Sequence, residues 1–226
     1  MPTDSNALKP KGHTKGNFAV RWIKKDKRFI EFVSNAGVLR LTLIAPELVR
    51  VTFKSGQMSA IHDNYWNIGP KTAVKYTVNE NRDMVDLVTE KMIVRVEKKN
   101  GAVRFLKPDK TIVLSEKLSE PRQLEANENW VYYDWDKKEK IKSKGILKGD
   151  WKLLTGKAAY ISHGGKSLRM PMLQSDKGYE IFMACESTVL CCAIPMYGPY
   201  IYSADTDQVD YYFAMSMDEE VLKPYL

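Results

Sequence analysis

The chain has 226 residues, with 35 Lys and Arg against 28 Asp and Glu, a formal net charge of +7 and a pI near 9.1. Hydrophobic residues make up 44% and charged residues 28%, which excludes a disordered chain. No apolar run approaches the roughly 18 residues that a membrane-spanning helix needs, and the length suits one large domain with its own core.

The first segment is basic. Residues 1–28 carry Lys9, Lys11, Lys15, Arg21, Lys24, Lys25, Lys27 and Arg28 against Asp4 and Asp26, which places +6 there and leaves +1 for the rest. A basic leader on a nearly neutral body is a poor match to the basic face of a nucleic-acid binder, so no nucleic-acid partner is expected. The leader also has no apolar stretch of the kind a secretory signal requires. With three cysteines, two of them adjacent, a disulfide framework is not expected, and a reducing, cytoplasmic setting is.

From residue 39 onward the pattern is period-two alternation in short runs rich in Val, Ile, Thr, Tyr and Phe. Leu39-Arg40-Leu41-Thr42-Leu43 alternates, and Val49-Arg50-Val51-Thr52-Phe53 repeats the pattern after a Pro46-Glu47 corner. Further strands are predicted over 74–78, 85–89, 92–96, 103–106 and 112–114. Turn signals separate them at Asn79-Glu80-Asn81-Arg82-Asp83, Lys99-Asn100-Gly101 and Lys107-Pro108-Asp109-Lys110. The stretch 115–168 breaks the pattern: it is charged and irregular, as long functional loops are. Strands return over 169–173, 179–183, 189–194 and 209–214. Ser216 with Glu219 then forms a capping box that predicts a short C-terminal helix, with the polypeptide expected to continue past Leu226. Many short strands separated by turns argue for an all-β fold, an antiparallel sandwich or barrel.

No metal or cofactor is expected. His13, His62 and His163 are far apart and lie at no ligand spacing from a Cys or an acid. Cys191 and Cys192 would point to opposite faces of a strand and read as buried hydrophobes. No nucleophile motif and no phosphate-cradling glycine pattern occurs, and His163-Gly164-Gly165-Lys166 reads as a turn. Aromatic rings beside polar groups are how proteins hold sugars. Tyr65-Trp66-Asn67, the run from Trp130 to Asp136, and the run from Tyr197 to Tyr202 fit that description, or else pack in the core. Asp134 and Asp136 flank Trp135 but would share one face of an extended segment. They could not straddle a glycosidic bond as a catalytic pair must.

Four stretches, in order, resemble the N-terminal β-sandwich domain of glycoside hydrolase family 31, the α-glucosidase and α-xylosidase family. Leu48-Val49-Arg50-Val51-Thr52-Phe53 is similar to its early strand. Lys91-Met92-Ile93-Val94-Arg95-Val96-Glu97 through Gly101-Ala102-Val103-Arg104-Phe105 resembles its hairpin. Met170-Pro171-Met172-Leu173-Gln174-Ser175-Asp176-Lys177-Gly178-Tyr179-Glu180-Ile181-Phe182 is the most specific match. Asp210-Tyr211-Tyr212-Phe213 with Asp218-Glu219-Glu220-Val221-Leu222-Lys223-Pro224-Tyr225 resembles the passage into the catalytic barrel. The resemblance covers about residues 38–226, and the sandwich domain is placed at 36–226, after a basic leader over 1–35 that reaches partly into the first strands.

It implies a galactose-mutarotase-like supersandwich that precedes a (β/α)8 barrel expected after residue 226. It further implies a retaining hydrolase or transglycosylase acting on an α-linked oligosaccharide. The catalytic carboxylates belong to that barrel. The family's Trp-x-Asp-Met nucleophile motif is missing here, and Arg82-Asp83-Met84 lacks the Trp, so no catalytic residue is assigned. The family's N-terminal domain lends a loop to the sugar site, which maps to the aromatic and charged stretch. Its substrate-binding candidates are Trp130, Asp134, Trp135, Asp136, Asp150 and Trp151. A stand-alone carbohydrate-binding module is the alternative. A mutarotase-like epimerase is the weaker one, because His62 and His163 have no acidic framing.

Overall fold

The computed structural model describes residues 16–56, 69–70, 72–125, 127–144, 152–161, 171–185, 189–204 and 206–216. The strands in chain order are β1 (Val20–Lys25), β2 (Ile30–Ser34), β3 (Gly37–Ala45), β4 (Leu48–Ser55), β5 (Thr77–Glu80), β6 (Met84–Val88), β7 (Ile93–Glu97), β8 (Val103–Leu106), β9 (Ile112–Ser115), β10 (Arg122–Glu125), β11 (Glu128–Tyr132), β12 (Ile141–Lys144), β13 (Lys152–Leu153), β14 (Ala158–Ile161), β15 (Met172–Ser175), β16 (Tyr179–Met183), β17 (Val189–Cys192), β18 (Tyr200–Ser203) and β19 (Gln208–Ala214). Beside them there is one short 3-10 turn, Pro195–Tyr197. The expected C-terminal helix after Ser216 lies outside the described residues.

All pairings are antiparallel. One sheet of nine strands runs β1-β2-β3-β4-β19-β16-β15-β12-β13, and two five-stranded sheets run β5-β6-β7-β8-β9 and β10-β11-β18-β17-β14. A single bridge between Glu116 and Tyr133 links the two smaller sheets, so together they form the second layer of a sandwich. Alternation decides which side of each strand faces inward. Leu39, Leu41 and Leu43 of β3, Val49, Val51 and Phe53 of β4, and Val209, Tyr211 and Phe213 of β19 all join the main core. Their alternates form a polar outer face held by ion pairs. Arg50 grips Asp210 with two bonds of 2.9 and 2.6 Å, and Arg40 grips Glu31, directly opposite it in register, at 2.9 and 2.6 Å.

Between the layers the core is aromatic. Phe105 of β8 stacks on Phe213 of β19 at 3.8 Å, and Tyr133 meets Tyr211 edge-on at 6.3 Å. Fully burying rings of this size stabilises by roughly 1.5–3 kcal/mol each. A buried ion pair also sits in this core. Arg122 contacts the Glu116 carboxylate with two nitrogens, Nε and a terminal one, and donates to Gly101 O at 3.1 Å. Glu116 also accepts from Val103 N at 2.7 Å and from Tyr211 Oη at 2.9 Å. Burial pushes the Glu116 carboxyl up from its ordinary range, with Arg122 opposing that shift. The turn expected at Lys99-Asn100-Gly101 is present. Gly101 sits at φ 65°, where a Cβ would come within 2.6 Å of Phe18 O, so only glycine fits without displacement.

The strand predictions from 85 to 114, at 39–43 and 49–53, and at 179–183 match β6 to β9, β3, β4 and β16. The run at 74–78 is displaced: Val74 and Tyr76 form an extended strap, and β5 starts at Thr77. The irregular stretch 115–168 contains β10 to β14, and β18 falls within the aromatic run from Tyr197 to Tyr202, where no strand is predicted. Every residue of β18 is buried, and β11 is buried on both faces apart from Glu128, so neither strand alternates. Such strands give no period-two signal.

Candidate functional site

Residues 133–141 cross from the second layer to β12, next to the edge strand of the nine-stranded sheet, and three of the candidates, Asp134, Trp135 and Asp136, lie on this crossing. It begins fixed: Tyr133 N donates to Pro199 O and Asp134 N to Ser115 O, both at 2.9 Å. Trp135 lays its indole parallel on the buried Tyr133 ring, 5.3 Å between centroids, and stays partly buried. Asp134 and Asp136 are exposed on either side of it. Asp136 Oδ1 accepts from Lys138 N at 2.9 Å, which shapes a tight turn, and Glu139 N closes it onto Asp136 O at 3.0 Å.

The turn delivers Glu139, a residue the sequence reading did not single out, to a nearly inaccessible position with 3% exposure. Its Oε1 accepts from Ser175 Oγ and from Tyr179 Oη, each at 2.5 Å, and Oε2 pairs with Lys177 Nζ at 3.0 Å. Ser175 and Tyr179 stand directly opposite each other at the end of the β15–β16 hairpin, so their hydroxyls converge on one point. A group that accepts two hydroxyl hydrogens there is best a carboxylate. Burial first, and the Glu139 charge second, hold the Tyr179 phenol well above its ordinary pKa, so it remains a donor. Asp176 reinforces the clasp: its Oδ1 accepts from Lys140 N at 3.0 Å, and its own N donates to Lys140 O at 3.2 Å. Thr155 Oγ1 donates to Glu139 O and accepts from Ile141 N, each at 2.9 Å. The most family-like segment of the sequence is therefore the socket that anchors the crossing segment.

Replacing Glu139 with Ala strands the Ser175 and Tyr179 hydroxyls, while Lys177, more than a third exposed, can turn to water. The expected loss is about 2–3 kcal/mol, read as a lower urea midpoint at unchanged slope. Glu139→Gln is expected to recover part of it, because the amide oxygen still accepts one hydroxyl.

Trp130 lies elsewhere. It is on β11, 1% exposed, on the outer side of its sheet, packed on Tyr202 at 5.0 Å in a cluster with Tyr132, Tyr200, Leu190 and Cys192. Its ring faces are thus engaged by protein. Asp150 and Trp151 lie outside the described residues, as do Tyr65, Trp66 and Asn67. Cys191 faces the main core and Cys192 the outer aromatic cluster, on opposite sides of β17. Among the described residues no three His, Cys, Asp or Glu side chains gather as a metal would require. The two carboxylates already described as buried, Glu116 and Glu139, have their oxygens committed to protein donors. The crossing is suited to presenting a ring edge and two carboxylates at a rim. No helix among the described residues is long and apolar enough to cross a membrane.

No protein-family model and no curated protein matches the chain. Solved structures do. A Flavobacterium johnsoniae dextranase of glycoside hydrolase family 31, seen with isomaltotriose, aligns with TM-score 0.77 at 18% identity over 94% of this chain. A family 31 α-xylosidase from a soil metagenome, seen with xylose, aligns with TM-score 0.73 at 15% identity over 87%. The cycloalternan-forming enzyme of Listeria monocytogenes, in complex with a pentasaccharide substrate, aligns with TM-score 0.72 at 16% identity over 90%. The chain spans only 28%, 32% and 21% of these three proteins. At such identities the likeness is one of fold, and nearly the whole chain takes part in it.

Proposed function

We propose that the chain is the N-terminal, non-catalytic β-sandwich domain of a cytoplasmic family 31 enzyme, a retaining α-glycoside hydrolase or α-glucosyltransferase. One observation carries this reading: the fold match runs along 94% of the chain yet covers 28% of a family 31 dextranase. The order of the four sequence stretches supports it independently of the coordinates. On this reading the sandwich, of the galactose-mutarotase-like kind, buttresses a catalytic barrel that supplies both reacting carboxylates. The crossing segment offers Asp134, Trp135 and Asp136 at its rim, and Asp150 and Trp151 are the further candidates for contact with an α-linked oligosaccharide. The Glu139 clasp holds that rim rigid, as positioning at a sugar site requires.

The purified 226-residue chain is expected to show no turnover of aryl α-glucosides or α-xylosides. The reading frame after the Leu226 codon is expected to encode a barrel with a Trp-x-Asp-Met strand end. Reproducible hydrolysis by the chain alone would overturn the reading. A frame that stops at Leu226 would replace it with a stand-alone sugar-binding module.

A further inference from the structure

Trp22 is the feature that neither the core nor the crossing segment accounts for. It lies on β1, the edge strand of the nine-stranded sheet, and is 53% exposed. Leaving an indole half in water forgoes the gain of burying it, and surfaces carry few such rings without a use for them. Edge protection does not explain it, since Lys24 and Lys25 already guard this strand against pairing. A β-bulge interrupts the β1–β2 register between Val20 and Trp22. Bulges re-aim the side chain that follows them.

A groove of about 470 Å³ runs beside the strand, lined by Val20, Arg21, Trp22, Ile23, Lys25, Glu80 and Lys98. That volume is in the range of small-molecule sites. Its far wall is fixed to β1, because Val20 N donates to Lys98 O at 2.8 Å. Glu80 sits at the centre of the polar wall. Lys98 Nζ donates to its Oε1 at 2.8 Å and to Asn81 O at 2.7 Å, and Lys25 Nζ approaches Oε2 at 3.5 Å. The hydrogen bond from Lys98, with its charge and that of Lys25, holds the Glu80 carboxyl below its ordinary range. The groove therefore joins an indole, an ionised acceptor and the cationic donors Arg21, Lys25 and Lys98.

That set decides the ligand class. A phosphate or carboxylate would use only the cations, two of which already engage Glu80, and would leave the indole unused. A neutral polyol uses the whole set: vicinal hydroxyls donate to the carboxylate and accept from lysine and arginine, while the C–H face of the ring rests on indole. No lining residue belongs to the 133–141 crossing. We infer that the Trp22 groove is a second carbohydrate site, separate from the crossing segment, that binds neutral α-glucan chains. The sugar class rests on the proposed function, and the site's existence rests on the groove.

The test is affinity electrophoresis of the 226-residue chain in gels containing dextran or soluble starch, backed by the Trp22 indole N–H signal in NMR titration with isomaltotriose and maltotriose. Retardation is expected in at least one glucan. Trp22→Ala should weaken it about tenfold, the equivalent of one lost stacking contact. Trp22→Phe should retain part of it, Glu80→Gln should weaken it, and Met196→Ala, an exposed position outside both the groove and the crossing segment, should leave it unchanged. The exposure of Trp22 keeps these variants folded, which thermal melting confirms. Equal retardation of wild type and Trp22→Ala overturns the site, and so does no retardation in either glucan. Neither result bears on the proposed function, which stands or falls on turnover and on the reading frame beyond residue 226.

Discussion

Replacing Arg122 with Ala is expected to cost about 3–5 kcal/mol at neutral pH, the largest loss of any single polar substitution in the sandwich. Both side chains of the Glu116–Arg122 pair are inaccessible to water, so truncating one leaves the other as an uncompensated buried charge. Phe53 also loses the guanidinium that lies 5.4 Å from its ring centre. The loss has a diagnostic pH dependence. Burial raises the Glu116 carboxyl in the intact protein, and without Arg122 nothing but Val103 N and Tyr211 Oη opposes that shift. A carboxyl with a raised folded pKa contributes stability below its unfolded value, and this is lost as pH rises through the folded value. Urea titrations should therefore show a smaller penalty for Arg122→Ala near pH 5 than near pH 8. The double variant Glu116→Gln with Arg122→Met should be less damaging than the sum of its parts by roughly 2 kcal/mol. A penalty that is flat with pH and additive in the cycle would mean that the pair acts as packing alone.

A second large effect is expected in alkali. Tyr133, Tyr179 and Tyr211 are held well above the ordinary tyrosine pKa, in each case chiefly by burial and then by a nearby glutamate, Glu116 for Tyr133 and Tyr211 and Glu139 for Tyr179. Above the unfolded value near 10, the unfolded chain sheds these protons and the folded one keeps them. Stability then falls by about 1.4 kcal/mol per pH unit for each residue, roughly 4 kcal/mol per unit for the three. Tyr132 and Tyr200 are raised in the same direction, again mainly by burial. Tyrosinate absorbance and circular dichroism, followed together from pH 9 to 12, should show a late fraction of the absorbance appearing in the same steep step as the loss of structure. Ionisation of this fraction near pH 10 with the dichroism intact would contradict the burial described here.

The strands most legible in the sequence are those that alternate apolar and polar side chains. The run from Leu39 to Leu43 reads as a strand because Arg40 and Thr42 stand on the outer face, and β6 to β8 read well because Asp86, Arg95, Glu97 and Arg104 pair across theirs. β10 was invisible for the opposite reason: Arg122 and Gln123 are buried, so polarity misreported their place. In β11 and β18 the aromatics that suggested a sugar platform face the outer side of the sheet and pack on one another, Tyr132 on Tyr200 at 5.9 Å and Trp130 on Tyr202. The crossing segment was found by its composition, but its anchor was not. Glu139 looks like any acid in a run of lysines until the hairpin brings Ser175 and Tyr179 together. Trp22 was hidden in the same way, because the leader is read for its charge and no strand is placed at 20–25.

The place of β19 in the large sheet governs how the chain can assemble. It is the fifth of nine strands, and it pairs along its length with β4, so that Arg50 and Asp210 meet across 160 positions of sequence. Closing a loop that long costs about 2–3 kcal/mol more entropy than closing a hairpin of ten residues. The meander β5 to β9, whose neighbours in sequence are neighbours in space, can form early and without β19. The centre of the large sheet is thus the last seam to close, and during synthesis it waits for residues 208–214 to leave the ribosome. Until then β4 and β16 present unpaired edges to the solvent, which makes the final strand the one whose delay most exposes the nascent protein to misassociation.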